Sequence, residues 1–422
     1  MLFKQLVALG LLAVTAAAAE LPEAIFPEGM GVNIHFVRGQ TKDLDMIAAA
    51  GFKWVRMDFS WEGTERKRGE YDWKAYDELT ANLEKRGIKA IYILDYSNPL
   101  YEEKVGSVNP LNHEAQRGTA SPQHPESIAA YARWAAAAAV HFKDKHVIWE
   151  IWNEPNISFW KPKPDVAQYT TLALAAAEAI RLAQPDALIA GPACSTFDWP
   201  FLEHFLKSGV LKYLNAVSVH PYRGPKQGPE KAAPEFKRLR GLIEKYGADD
   251  RQRKLPILSG EWGYSSKTGE TTPETQAAFL ARQQLSNLLE GVPISIWYDW
   301  KNDGADPNDH ESNFGTVTHD LEPKPAFLAA KTLSEALAGY RILRRMETDA
   351  EDYILICVNS SGGCKLACWT TGAAHTATIV PPFKSAKWAG GVDGLGRAYN
   401  VNPDGGRWKI ELSAMPKYLS AN

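Results

Sequence analysis

Apolar positions along this chain alternate between two periods. Short runs of strand character occupy residues 31–35, 53–59, 88–95, 146–151, 187–191, 216–220, 256–260 and 294–298. Amphipathic stretches of helical period separate them, at 73–86, 128–142, 166–182, 234–246, 275–289 and 325–337. Strands alternating with helices in this number predict an α/β fold, a (β/α)8 TIM barrel over residues 20–340. An open doubly wound sheet is the competing arrangement, and it needs a glycine-rich turn after its first strand. His35-Phe36-Val37-Arg38-Gly39-Gln40 offers one glycine and no phosphate cradle.

Beyond residue 340 the period shortens to two. Residues 353–358 and 364–369 flank Asn359-Ser360-Ser361-Gly362-Gly363 as a β-hairpin. Further strands are predicted at 376–380 and 408–412, with turn signals at Gly390-Gly391 and Asp404-Gly405-Gly406. Residues 341–422 therefore read as a small C-terminal antiparallel β-sandwich domain packed on the barrel. Segment 22–30 offers it a further strand or plugs the lower end of the barrel.

At the start of the chain, Lys4, the mostly apolar stretch 6–19 and Ala17-Ala18-Ala19 have the form of a cleavable signal peptide over residues 1–19. A secreted or periplasmic location follows as an expectation. The stretch falls short of the roughly 20 apolar residues that a membrane span requires, and no later run is longer, so no span is expected in the mature chain. Lys and Arg total 47 against 50 Asp and Glu, a formal charge of −3, which leaves no electrostatic footprint for nucleic acid. A monomer is expected. Four cysteines make no disulfide scaffold. Either one bridge forms among Cys357, Cys364 and Cys368, as export would permit, or these and Cys194 are small buried apolar groups. No zinc-ligand spacing is present.

The polar residues that change this picture stand where strands end: His35, Arg56 with Asp58, Asp95, Asn153 with Glu154, His220 with Tyr222, Glu261, and Trp297 with Asp299. In a barrel these ends ring one face, where active sites are built. Glu154, in Trp152-Asn153-Glu154-Pro155, and Glu261, in Gly260-Glu261-Trp262-Gly263, each follow an apolar run where an idle carboxylate would be costly. Paired carboxylates carry out glycoside hydrolysis, one as general acid and one as nucleophile, about 5–5.5 Å apart when configuration is retained. Pro155 favours an extended backbone at Glu154. Arg56 is expected to donate to Glu261 and lower its pKa, with an Arg56–Asp58 or other structural pair as the alternative. Tyr222 is a further donor to Glu261, and His220 a substrate contact or orienter. Trp297 and Trp160 are candidates for stacking on pyranose faces, and His35 and Asp95 for binding sugar hydroxyls. Loop residues Asp303, Asp306 and Asp309 lack the spacing of a full calcium loop and read as part of a solvated gating loop. The reaction requires no metal or cofactor.

At these residues the sequence resembles the clan A glycoside hydrolases, the retaining (β/α)8 enzymes marked by Asn-Glu-Pro after the fourth strand and a nucleophilic Glu after the seventh. Within the clan it resembles families 39 and 5. Trp54-Val55-Arg56-Met57-Asp58-Phe59-Ser60-Trp61, Trp149 to Ile157 and Gly260-Glu261-Trp262-Gly263 lean toward bacterial polysaccharide hydrolases of family 39. The resemblance implies Glu154 as acid/base, Glu261 as nucleophile and Asn153 as holder of the sugar 2-hydroxyl. The chain departs from it at Asp95-Tyr96, where family 5 members often carry a His. A secreted retaining β-glycosidase acting on a carbohydrate substrate is the resulting expectation. A catalytically silent glycan-binding barrel and a transglycosylase using the same two Glu residues are the alternatives.

Overall fold

The computed structural model describes residues 20–108, 115–382 and 389–421, so the expected export segment lies outside the described residues. Eight parallel strands close a barrel in chain order: β1 (Met30–Asn33), β2 (Trp54–Ser60), β3 (Lys89–Asp95), β4 (Val147–Ile151), β5 (Leu188–Ser195), β6 (Ala216–His220), β7 (Ile257–Trp262) and β8 (Ser295–Trp297), which returns to β1. The crossovers carry α1 (Thr41–Ala49), α2 (Lys74–Glu84), α3 (Pro125–His141), α4 (Val166–Ala183), α5 (Trp199–Lys207), α6 (Ala233–Tyr246), α7 (Pro273–Leu289) and α8 (Pro325–Ala336).

Local chemistry accounts for these elements. Helix α4 begins at Asp165, whose carboxylate accepts the N–H groups of Ala167 and Gln168 at 3.0 Å each, satisfying donors that a helix start leaves open. Its buried face is Tyr169, Leu172, Ala173, Ala176, Ala177 and Ile180, at helical spacing. The sequence pattern does not mark α1 and α5. Each spans nine residues, too few to establish a helical period between strongly apolar neighbours. The start signal of α5 was nonetheless present: Asp198 accepts the N–H of Phe201 at 3.1 Å.

Side chains two residues apart on a strand point the same way, so the barrel interior is layered. Trp54, Ile148, Ala216 and Leu258 belong to an apolar floor, and one layer above them lie Arg56, Glu150, Ser218 and Gly260. Leu21 packs beneath the floor. Phe26 and the chain leaving α8 exchange backbone bonds, Phe26 N–H to Tyr340 O at 2.9 Å and Gly339 N–H to Phe26 O at 2.8 Å. Of the two readings of segment 22–30, the plug fits this arrangement.

The remaining chain forms β9 (Arg341–Arg345), β10 (Asp352–Val358), β11 (Cys364–Thr370), β12 (His375–Ile379), β13 (Ala389–Asp393), β14 (Ala398–Asn400), β15 (Asn402–Asp404), β16 (Arg407–Leu412) and β17 (Lys417–Ala421). A six-stranded antiparallel sheet in the order β9-β10-β11-β17-β13-β14 faces a three-stranded one, β12-β16-β15. The larger sheet is buried on both sides by strict alternation. Ile354, Ile356, Leu366 and Cys368 pack against the smaller sheet, while Leu355, Cys357, Ala367 and Trp369 pack against the barrel. That alternation also resolves the cysteine question. Cys357 faces the barrel, Cys364 and Cys368 face the other way, and all are free thiols, as is Cys194.

Where the sheet meets the barrel, the Trp369 indole N–H donates to Glu230 Oε1 at 2.7 Å, and Arg282 holds the same carboxylate through Nε and Nη2 at 2.7 and 2.8 Å. These three groups are buried together. Trp369→Phe keeps most of the packing but removes a donor to a buried charge, a loss of about 2 kcal/mol. Urea denaturation followed by fluorescence and circular dichroism is expected to show that loss within one transition. An early, separate unfolding of the C-terminal sheets in the wild type would contradict the coupling.

Candidate active site

Arg56 is fully buried in the charged layer, where an unpaired guanidinium would be expensive. Every arm of its fork is engaged. Nε donates to Glu150 Oε2 at 2.6 Å, Nη1 to Glu261 Oε2 at 2.6 Å, and Nη2 to Asn153 Oδ1 at 2.8 Å. Nη1 also faces Asn33 Oδ1 at 3.4 Å. Of the alternative structural pairs, Arg56–Asp58 is not formed, whereas the buried Arg56–Glu150 pair stands beside the expected bond to Glu261. Glu150 carries a sequence signal of its own, a lone charge inside the buried apolar strand Val147–Ile151. Gly260 makes room for this layer. A Cβ there would lie 2.5 Å from Ser218 Oγ and 3.0 Å from Glu150 Oε1.

His220 links the two candidate carboxylates. Its Nε2 lies 3.2 Å from Arg56 Nη2, which can only donate, so Nε2 is the acceptor and Nδ1 carries the hydrogen. Nδ1–H then donates to Glu154 Oε1 at 2.9 Å and stands 4.0 Å from Glu261 Oε2. Glu261 Oε1 accepts from the Tyr222 hydroxyl at 2.8 Å. Burial alone would raise the pKa of Glu261. The Arg56 guanidinium and the Tyr222 bond outweigh it and hold the carboxyl below its usual value. One oxygen of Glu154, one of Glu261 and a ring nitrogen of His220 all lie within 4.8 Å of one another.

The backbone at Glu154 is not extended, contrary to the expectation drawn from Pro155. Trp152 and Glu154 have φ of 68° and 45°, in the left-handed region that side chains disfavour. A bond from Glu154 N–H to Ala193 O at 3.0 Å holds this tight reversal. Between these two residues, Asn153 has a fixed amide. Its Oδ1 accepts from Arg56 and its Nδ2 donates to the Tyr96 hydroxyl at 3.0 Å, leaving one amide hydrogen free.

Other expected sugar contacts stand elsewhere. Trp160 is fully buried against Trp152 and Tyr169, so it offers no face to a ligand. Trp297 is likewise buried, its N–H donating to Phe314 O at 3.3 Å. In each case the neighbouring aromatic is partly exposed. Phe159 stacks on Tyr96 at 5.6 Å with 4° between the rings, and Tyr298 stands beside Tyr222 and His35. Arg56 and His220, being fully buried, hold the carboxylates rather than touching solvent.

Asp95 lies behind the exposed Asp58. Its oxygens lack any donor, and its carboxyl faces that of Asp58, so the two can bond only by sharing a proton. Burial, then the charge of Asp58, pushes Asp95 well above the usual carboxylate range. His35 is half exposed and pairs with buried Asp299 at 3.4 Å. In the acidic loop, Asp306 and Asp309 accept from their own turns, from Asn308 and Ser312 N–H at 2.9 Å each. Asp303 reaches the mouth and meets His35 and Asp299 there.

A family model described as cellulase (glycosyl hydrolase family 5) matches residues 23–303. Among solved structures, a family 39 glycoside hydrolase from the gut symbiont Bacteroides cellulosilyticus WH2 superimposes with a TM-score of 0.80 at 25% identity, over 96% of this chain and 82% of that one. A family 39 β-xylosidase from Caulobacter crescentus shares the fold at 19% identity, TM-score 0.67, over 96% and 98%. So does a family 30 endoxylanase from Clostridium papyrosolvens C71, at 13% identity, TM-score 0.66, over the same shares. No curated protein matches the sequence.

The His35–Asp299 pair makes a pH-dependent contribution. Burial disfavours the imidazolium, but Asp299, aided by Asp303 and Asp58, more than offsets it and raises His35 to about 9. A raised folded-state pKa stabilises fully below the unfolded value of about 6.5 and ceases as pH rises through about 9. Burial raises Asp299 itself to about 6, so the charged pair is present between about 6 and 9, and wild type is expected to melt above His35→Asn at pH 7 and level with it at pH 10. A gap that stays constant with pH would assign the effect to packing alone.

Proposed function

Since this chain belongs to the cellulase family, glycosyl hydrolase family 5, we propose that it is an exported, retaining β-glycosidase acting as a monomer on a β-linked poly- or oligosaccharide. Glu261 is the nucleophile and Glu154 the acid/base. The observation that carries this reading is the close approach of the two carboxylates, within 4.8 Å at their nearest oxygens. Inverting enzymes keep their pair about 6.5–9.5 Å apart to admit a water between them.

The two carboxylates differ in what surrounds them. Both oxygens of Glu261 accept, from Arg56 and from Tyr222, which stabilises its anion and aims it. Glu154 accepts one side-chain bond among the described residues, from His220 Nδ1 at 2.9 Å. Different surroundings are how one site keeps an acid and a nucleophile together. In the first step a Glu261 oxygen bonds to the anomeric carbon as the bond to the leaving oxygen breaks, and the Glu154 proton passes to that oxygen. In the second, Glu154 takes a proton from water, whose oxygen displaces Glu261 and restores the starting configuration. The free amide hydrogen of Asn153 suits the sugar 2-hydroxyl. Tyr298 and the Tyr96–Phe159 pair supply ring faces for pyranose C–H groups.

The cleaved unit is neutral. Asp58, Asp299, Asp303 and Glu311 surround the mouth and disfavour a uronate there. Nearby Arg223 is already held by Glu235 at 2.8 Å. Export rests on Lys4 and the apolar stretch that follows it.

Reducing-end release from a panel of β-linked polysaccharides tests the assignment. Glu261→Gln is expected to lose activity by a factor on the order of 10⁴ or more. Glu154→Gln should lose about 10²–10⁴ on polysaccharide but keep a fast first step on dinitrophenyl glycosides, whose leaving group needs no proton. Equal release by Glu261→Gln and wild type would refute the site. Glycan binding without turnover by the wild type would favour a silent binding barrel.

A further inference from the structure

Beside the mouth, a cleft of about 820 Å³ opens across the ends of β1 and β2, within the range of roughly 300–1,000 Å³ typical of ligand sites. Two of its lining residues, Val37 and Ser60, each lie two positions beyond the mouth residues His35 and Asp58, so cleft and mouth are neighbours on one rim. Tyr76 forms the wall between them. Its hydroxyl accepts Ser60 N–H at 2.9 Å and donates to Asp58 O at 2.7 Å.

The charge of the cleft is opposite to that of the mouth. Arg38, Arg66 and Lys74 line it with exposed side chains and have no carboxylate partner among the described residues. The two carboxylates of the cleft are engaged. Glu70 is paired with Lys67, and Asp72 accepts the backbone N–H of Lys74 at 3.1 Å. Half-buried Tyr71 also lines the cleft, its ring held against Trp73 at 5.2 Å with 29° between planes.

We propose that this cleft is a distal subsite for an anionic sugar unit, one bearing a carboxylate or a sulfate, on the chain whose neutral unit is cut in the mouth. Guanidinium groups suit the paired oxygens of either anion, and Tyr71 provides a ring face for the sugar body. Unpaired cations around a concavity concentrate anions there, while the acids at the mouth exclude them. Together the two fields fix which bond is presented to Glu154 and Glu261. The proposal rests on the glycosidase reading for its polymer, and the binding itself is tested separately.

Affinity electrophoresis of the Glu261→Gln protein in gels holding carboxymethylcellulose, cellulose sulfate or hydroxyethylcellulose measures it. Retardation is expected in the anionic gels, and the stronger of the two identifies the preferred anion. Adding Arg38→Ala, Arg66→Ala and Lys74→Ala should weaken that binding about tenfold and leave hydroxyethylcellulose mobility unchanged. Arg38→Lys with Arg66→Lys should retain it. A control replacing Lys207, Lys237 and Lys254, exposed cations elsewhere, should also retain it. No retardation in either anionic gel, or equal loss in control and cleft variants, would overturn the proposal. Turnover of small aryl β-glycosides by the cleft variant in an otherwise wild-type background should match wild type. A wild type inactive on every substrate would strike the glycosidase reading and leave the gel result to judge the cleft.

Discussion

One buried guanidinium organises this site. Arg56 stands in the first polar layer above the apolar floor, and its partners come from β1, β4, the turn after β4, β6 and β7: Asn33, Glu150, Asn153, His220 and Glu261. A buried ion pair contributes little net stability, because desolvation offsets the attraction. Its value here is geometric. The planar fork dictates where each partner must stand, so four strands besides its own are brought into one register. Glu150 anchors the fork from within the barrel, and Gly260 leaves the space that both need.

From that anchor the differences at the rim follow. Arg56 takes one oxygen of Glu261 and Tyr222 the other, which fixes the carboxylate in place and keeps it anionic. Arg56 also faces His220 Nε2, which leaves Nδ1 as the donor offered to Glu154. Strain is concentrated at the same place. Two left-handed residues flank Asn153, at about 1–3 kcal/mol each. They turn the chain so that an amide and a carboxyl face the mouth together. The C-terminal sheets are buried against the barrel through Leu355, Cys357, Ala367 and Trp369 and continue its core.

Much of this arrangement is legible in the sequence because charge next to an apolar run is rare and expensive. Glu154, Glu261, Arg56 and His220 stand out for that reason, and the alternation of periods marks all eight barrel strands. Aromatic residues carry no such signal, since the same indole serves a core or a sugar platform. The outcome turns on a single position at a strand end, where a shift of one residue exchanges inside for outside. Trp297 therefore points into the core and Tyr298 into the mouth, as Trp160 and Phe159 divide in the same way. Asp95 illustrates a different limit. Its place at a strand end is readable, but that it sits behind Asp58 depends on two strands at once. The left-handed turn at Glu154 likewise depends on Ala193 of β5, which the local Glu-Pro pair cannot reveal.

The claim on which the account depends is that Glu261 forms a covalent bond to the sugar. Wild-type protein treated with 2-deoxy-2-fluoro aryl β-glycosides of glucose, xylose and mannose, then digested and mapped by mass spectrometry, tests it directly. The account predicts a single added glycosyl group on the peptide carrying Glu261, absent when the label is offered to Glu261→Gln. A label on Glu154 or on any other carboxylate, with unmodified Glu261 in an enzyme that turns over, would contradict it.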